Sequence, residues 1–433
     1  MSTEVSTAVR VRSATRIDDW RPEDPVFWAE KGAAIARRNL VVSVFTEHIG
    51  FSLWSLWSVL VLFLGPEYHI DPAGKFVLTA VPTLVGSAMR LPYTLAVTRF
   101  GGRNWTVLSA LILLVPSLLA AAVVRPGVSY STLVAVAAVA GFGGGNFASS
   151  MTNINAFYPA RLKGWALGIN AGGGNLGVAA IQLVGLCILA AAGAGHPRIL
   201  LAVYIPLIVI GAVCAALFMD NLTPARATKA LRAACRESET WWVSLLYIGT
   251  FGSFIGFSFA FGQVLQVQFQ ADFATPVRAA YLTFLGPLLG SLARPLGGLL
   301  ADRRGGARVT CWNFLAMAGG AAIVLIASTT KSLSLYVLGF VLLFVLSGIG
   351  NGSTYKMIPA LFRDRTDGGR LAGAVIGIAG AAGAFGGVLV NLAFRQSFLS
   401  TGSANAAYIA FIAFYGLCLV VTWLRYLRRR PMV

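Results

Sequence analysis

Twelve stretches of this 433-residue chain are apolar for long enough to cross a bilayer, near residues 38–64, 73–97, 106–124, 130–158, 165–192, 199–219, 240–269, 278–301, 309–328, 333–360, 371–394 and 406–424. A helix needs about 20 mostly apolar residues to cross the hydrocarbon layer. Inside that layer every backbone N–H and C=O must be bonded within its own segment or a closed barrel. The spans are far longer than barrel strands, so the chain reads as an all-α membrane protein of twelve transmembrane helices. Composition agrees, with 57% hydrophobic residues, only 12% charged and a mean hydropathy of +0.74. An even number of spans puts both termini on one side.

The net charge of +18 would suggest nucleic acid in a soluble domain. Its location gives a different answer. Of the 34 lysines and arginines, 25 fall in the two tails, the turns on their side and the central loop. The opposite loops hold only Lys75, Arg125, Arg198, Arg278, Lys331 and Arg395. Short loops rich in Lys and Arg stay in the cytoplasm. Both termini are therefore expected there, with the basic surface facing anionic lipid and no nucleic-acid partner.

The expected organisation is a cytoplasmic tail (1–37), a six-helix bundle (38–219), a cytoplasmic linker (220–239), a second six-helix bundle (240–426) and a basic tail (427–433). Residues 1–37 lack the apolar core of a cleavable signal peptide. The WRPEDPVFWAEKG stretch at 20–32 suits a short interfacial helix. The two bundles repeat each other in order. HIGFSLW (48–54) matches FIGFSFA (254–260), and TRFGGRN (98–104) matches DRRGGAR (302–308). GFGGGN (141–146) resembles GIGNGS (348–353), and GINAGGG (168–174) resembles GIAGAAG (377–383). Parallel halves of this kind are a transporter plan with the substrate site at their interface.

Two arginines stand at equivalent places in the repeat. GSAMR (86–90) and GSLAR (290–294) put Arg90 and Arg294 eleven residues before Gly101-Gly102 and Gly305-Gly306. Of the 16 acidic residues only Glu47 lies well inside a span, against Arg90, Arg294 and Lys356. A buried unpaired ion costs several kcal/mol, so the inventory points to an anion arriving from outside. A guanidinium presents a rigid donor fork that fits a planar oxyanion, which Lys cannot copy.

LLADRRGG (299–306) resembles the turn signature of the major facilitator superfamily, with Thr98 in the first copy where the pattern has Asp. GGGNFASSMTNINAFYPARLKGWALGINAGGGNLG (143–177) resembles the signature of the NarK-type nitrate/nitrite porters within it. GIGNGSTYKMIPALFR (348–363) resembles that signature's second copy, and LLYIGTFGSFIGFSFAF (245–261) the family's seventh span. The resemblance implies the major facilitator fold, a bacterial or archaeal cytoplasmic membrane, and nitrate and nitrite as substrates. It implies that Arg90 and Arg294 clamp the anion, with Phe147, Tyr247 and Phe251 as its aromatic walls. Most of the 48 glycines read as close helix packing.

Asn170 and Asn175 are buried amides that can donate to an anion without adding charge. Asn170 is the favoured ligand, and Asn175 stands open between ligand and packing. Glu47, His48 and Lys356 are candidates for coupling or charge balance, with Glu47 expected to neutralise Lys356 or an arginine. No enzyme motif, cofactor or metal spacing appears, and the five cysteines are scattered. The expected activity is alternating-access exchange of nitrate for nitrite by a monomer, because two unliganded arginines repel and hinder return of the empty carrier. The alternative is proton-coupled nitrate symport through Glu47 or His48. An anion channel or a membrane nitrate sensor are more distant readings.

Overall fold

The computed structural model describes residues 16–193, 195–222, 228–273, 278–279, 281–363, 365 and 368–428. The first six long helices are α1 (Pro25–Phe63), α2 (Pro72–Phe100), α3 (Gly102–Val123), α4 (Tyr130–Phe157), α5 (Ala160–Ala192) and α6 (Pro197–Phe218). After a linker helix (Thr228–Arg236) come α7 (Ser238–Gln268), α8 (Leu285–Arg304), α9 (Gly306–Thr329), α10 (Leu333–Leu361), α11 (Leu371–Thr401) and α12 (Asn405–Leu427). Among the described residues ten of these are long and apolar enough to cross a membrane. The two that fall short are α2 and α8, the helices that carry Arg90 and Arg294. The charge that marks the site is what lowers their apolar character.

Helix starts follow the local sequence. Asp71 accepts from the Gly74 N–H at 2.7 Å ahead of Pro72, and Ser129 accepts from the Thr132 N–H. Asp24 accepts from the Val26 and Phe27 N–H groups, so α1 begins at Pro25, well before its apolar run. An oxygen at this position satisfies the otherwise orphan N–H groups of a first turn. The α2–α3 and α8–α9 turns are built alike: Gly101 and Gly305 both take φ of 86°, a left-handed value that favours glycine.

Packing fixes the register of the repeat. The glycine four residues before each arginine lets a neighbouring helix approach to backbone contact. A Cβ on Gly144 would lie 2.8 Å from Gly86, and one on Gly348 would lie 2.0 Å from the Gly290 carbonyl oxygen. Gly144 and Gly348 are thus partners, 204 residues apart like the arginines. The match of Gly141 to Gly348 expected from the sequence is corrected by three residues. Glycine-rich text aligns with itself at several offsets, and only the packing partner distinguishes them.

The side of the halves away from the termini is sealed. Ser87 donates to the Ala381 carbonyl and Thr79 to the Asn391 side-chain oxygen, both at 2.8 Å. Phe76 stacks on Phe394 and Phe398, and Gln182 donates to the Ser258 carbonyl. Toward the termini the halves part around a vestibule of about 660 Å3. Its walls include Thr94, Met151, Asn155, Gly373 and Gly377, and it reaches inward to Phe147, Tyr355 and Gly380. Its mouth is lined by Ile17, Asp18 and Trp20 of the N-terminal segment and Leu231 of the linker helix. That segment is tied down. Strand β1 (Arg16–Ile17) pairs in parallel with β2 (Asn221–Leu222), and the Trp20 indole donates to the Ala156 carbonyl.

Candidate functional site

Arg90 and Arg294 meet at the inner end of this vestibule. Arg90 is fully buried and Arg294 is 4% exposed, and each lies within electrostatic reach of the other. Among the described residues neither has a carboxylate within ion-pair distance. Arg90 donates through Nη1 to the Gly380 carbonyl on α11 at 2.6 Å, crossing from one half to the other. Its Nε and Nη2 have no partner. Arg294 donates through Nη2 to the Tyr247 hydroxyl at 3.1 Å, within its own half, and its Nη1 has no partner.

Aromatic rings hold both guanidiniums. The Arg90 Cζ lies 4.4 Å from the Phe147 ring centre, 5.0 Å from Phe251 and 5.4 Å from Trp54. The Arg294 Cζ lies 5.9 Å from Phe147, 5.9 Å from Phe251 and 5.3 Å from Tyr355. Phe147 and Phe251 are stacked with centres 6.0 Å apart at 24°. They come from opposite halves, so they bracket the seam as the arginines do. A desolvated cation–π contact contributes about 2 kcal/mol. Removing a guanidinium from water costs several kcal/mol, even after the surroundings relax. The rings therefore offset part of the penalty, and the Arg90 Nε and Nη2 and the Arg294 Nη1 remain without a partner.

The backbone of α7 shapes one wall. Residues Ile248–Gly252 form a π-turn inside the helix, a distortion frequent at functional sites. Tyr247 directly precedes it and Phe251 lies within it, with their rings stacked 5.2 Å apart at 7°. Gly252 lets α7 touch α11 at Gly386, where added Cβ atoms would come within 2.8 Å of the facing Cα. A Cβ on Gly383 would lie 2.5 Å from the Tyr247 ring. The glycines of α11 thus make the space that the aromatic wall fills.

The remaining sequence candidates divide. Asn175 is fully buried with both amide atoms unpaired. Asn170, the favoured ligand in the sequence, donates through Nδ2 to Glu47 at 2.5 Å and to Ser150 at 2.9 Å, while its Oδ1 has no partner. Glu47 also accepts from the Ser150 hydroxyl. The expected pairing of Glu47 with Lys356 is corrected: Lys356 pairs with Asp302 at 2.5 Å, half-exposed at the end of α10. Neither does Glu47 form an ion pair with an arginine among the described residues. Thr98 and Thr152 stand 204 residues before Asp302 and Lys356, so the first half has hydroxyls where the second has an ion pair. His48 bonds through Nδ1 to the Gly173 carbonyl, joining α1 to α5.

Three contributors were missed in the sequence: Trp54, the Gly380 carbonyl and Tyr355. The Tyr355 ring stands 5.1 Å from Tyr247, and its hydroxyl is buried without a partner. Helical phase held the signal, since Gly348, Gly352 and Tyr355 recur at i, i+4 and i+7 on one face of α10.

Comparison with known proteins agrees with this architecture. The family model described as Major Facilitator Superfamily matches residues 41–391. The nitrate/nitrite transporter NarU of Salmonella typhimurium is 38% identical over 96% of this chain and 97% of its own. The probable nitrate/nitrite antiporter NarK2 of Thermus thermophilus is 33% identical over 96% of this chain and 97% of its own. Among solved structures, a partially occluded inward-open form of the Escherichia coli xylose transporter XylE superposes with a TM-score of 0.69 at 12% identity. It covers 91% of this chain and 98% of that one, which speaks to the fold alone. With a family match across most of the spans and two full-length relatives above 30% identity, the chain belongs to the major facilitator superfamily, in its branch of NarK-type nitrate/nitrite porters.

Proposed function

We propose that this protein is a secondary transporter that carries nitrate and nitrite across the bacterial or archaeal cytoplasmic membrane by exchanging one for the other. The observation that carries the reading is the pair of buried guanidiniums, one from each half, with unpaired donors and, among the described residues, no carboxylate within ion-pair distance of either. A small planar oxyanion offers each of them lone pairs in the plane of the fork. Phe147 and Phe251 pack against both cations, and the apolar surroundings exclude water. Asn175 supplies an uncharged donor, and Asn170 acts one step back by holding Glu47. The names of the relatives, a nitrate/nitrite transporter and a nitrate/nitrite antiporter, support the same substrates. Family membership makes the chain a transporter rather than an enzyme.

The electrostatics of the empty site support exchange. The two arginines approach across the seam, and a bound anion offsets their repulsion while the halves rock. The basic excess on the termini side supports a cytoplasmic position for both ends, and the vestibule then opens to the cytoplasm. One transport site lies between the halves of a single chain, which supports function as a monomer. Proteoliposomes loaded with nitrite and given external nitrate test the proposal. Exchange is expected only with anion on both sides, and Arg90→Lys or Arg294→Lys should cut it at least tenfold, roughly the loss of one charge-assisted bond. Uptake into nitrite-free vesicles driven by a pH gradient would favour symport instead, and a single-channel current would overturn the carrier altogether.

A further inference from the structure

Beside the arginine pair lies a second polar centre that anion clamping leaves without a role. Glu47, on α1, is 1% exposed. Its Oε2 accepts from Ser150 on α4 and Asn170 on α5, while its Oε1 has no partner. Gly174 makes the room for it, since a Cβ there would lie 2.5 Å from Oε1. Next to the carboxyl is a void of about 10 Å3, lined by Thr46, Glu47, Thr106, Ser109, Asn146, Ser149 and Ser150 among others.

The hydroxyl hydrogens around this void are already committed. Thr46 donates to the Val42 and Ser43 carbonyls, Thr106 to Gly102, Ser109 to Thr106 and Ser149 to Asn146. Ser150 donates to Glu47 and to the Phe147 carbonyl. The Asn146 side-chain oxygen is a second buried acceptor without a donor. The hydroxyl groups of the lining thus offer lone pairs only to the unpartnered Oε1 of Glu47. Buried acceptors of this kind call for a donor. The group that supplies one with no change of shape is a proton on Oε1.

The charged and titratable groups around Glu47 are few. Arg90 on α2 and Arg294 on α8 lie within electrostatic reach, and so does Tyr355 on α10. His48 is its neighbour on α1. The residues that line the void from α3 and α4 carry no charge. Without an anion, the two guanidiniums favour the ionised carboxylate. An anion between them offsets part of that field, which shifts the balance toward the neutral acid. By reciprocity, protonation removes a repulsion and tightens anion binding.

We infer that Glu47 is a proton-binding site linked to anion occupancy, so that the anion binds together with a proton taken up as the carboxylate becomes the acid. The inference rests on the anion site proposed above. It holds for an exchanger, in which both anions travel with a proton, and for a symporter.

Titration calorimetry with potassium nitrate on the purified full chain tests it, run in buffers of differing ionisation enthalpy from about pH 5 to about pH 9. Expected is net proton uptake on binding, with affinity falling about tenfold as the pH rises. Glu47→Gln should abolish the uptake and hold the low-pH affinity throughout. Ser150→Ala, which keeps the carboxyl but removes a donor to its charged form, should move the uptake to higher pH. Binding by the wild type without proton uptake, or uptake that persists in Glu47→Gln, overturns the inference. So does an affinity that follows sodium against choline instead of pH. No nitrate binding by the wild type at any pH would instead sink the anion site itself.

Discussion

At the scale of single residues, charge and burial mark the site more plainly than residue type does. Tyr355 shows how far this goes. Its hydroxyl is a buried donor without a partner, and such a group costs about 1–3 kcal/mol. Tyr355→Phe is therefore expected to raise the anion-free melting temperature while raising the nitrate KM, because the hydroxyl is spent on the ligand. A lower melting temperature, or an unchanged KM, would show that it serves the fold alone. The two asparagines should separate in the same assays. Asn175→Ala should raise KM severalfold with little change in stability, since its amide has no partner in the protein. Asn170→Ala should lower stability by at least 1 kcal/mol or so, since it strips a donor from the buried Glu47 carboxylate. Equal KM effects from both would contradict this division. The arginines were legible in the sequence because a cation in an apolar span has no cheap alternative. The bond from Asn170 to Glu47 was not, because the two lie 123 residues apart and meet only once α1, α4 and α5 pack.

At the scale of elements, the repeat and the helices were legible because apolar length and glycine turns are local properties. The register of α4 against α10 was not, and neither was the π-turn in α7, since both depend on what packs opposite. Helix α11 carries the heaviest functional demand. It accepts from Arg90 at Gly380, makes room for Tyr247 at Gly383 and lines the vestibule with Gly373 and Gly377. A Cβ on Gly377 would sit 3.7 Å from Thr94, an ordinary contact, and Gly377 lines the vestibule, so a larger side chain there takes up vestibule space. Closing the vestibule requires that space. Gly377→Leu should keep or raise thermal stability, because a mid-helix glycine costs about 1 kcal/mol relative to a good helix former. Exchange in proteoliposomes should nonetheless fall to about a tenth or less, as the halves lose the closed state. Normal exchange by this variant would mean that α11 does not line the closing surface.

At the scale of the whole molecule, the structure is one of two states that a carrier of this kind must visit. The seal opposite the termini includes contacts between α2 and α11, which also supply Arg90 and its Gly380 acceptor. Opening the far side therefore has to break the contacts at Thr79, Ser87 and Phe76, and it moves the two helices that meet at Arg90. If the anion binds at Arg90 as proposed, these two helices link binding to gating with no separate relay needed. Thr79→Cys combined with Asn391→Cys tests this directly, because the native side chains at these positions touch at 2.8 Å. Oxidation should join α2 to α11, stop exchange and leave nitrate binding from the termini side intact. Reduction should restore transport, and either cysteine alone should be insensitive to oxidant. Prior saturation with nitrate should slow the crosslink, if the loaded carrier spends part of its time open on the far side. Full exchange in the crosslinked protein would mean that the α2–α11 contact is not a gate, and the inward vestibule would then be a fixed feature of the fold.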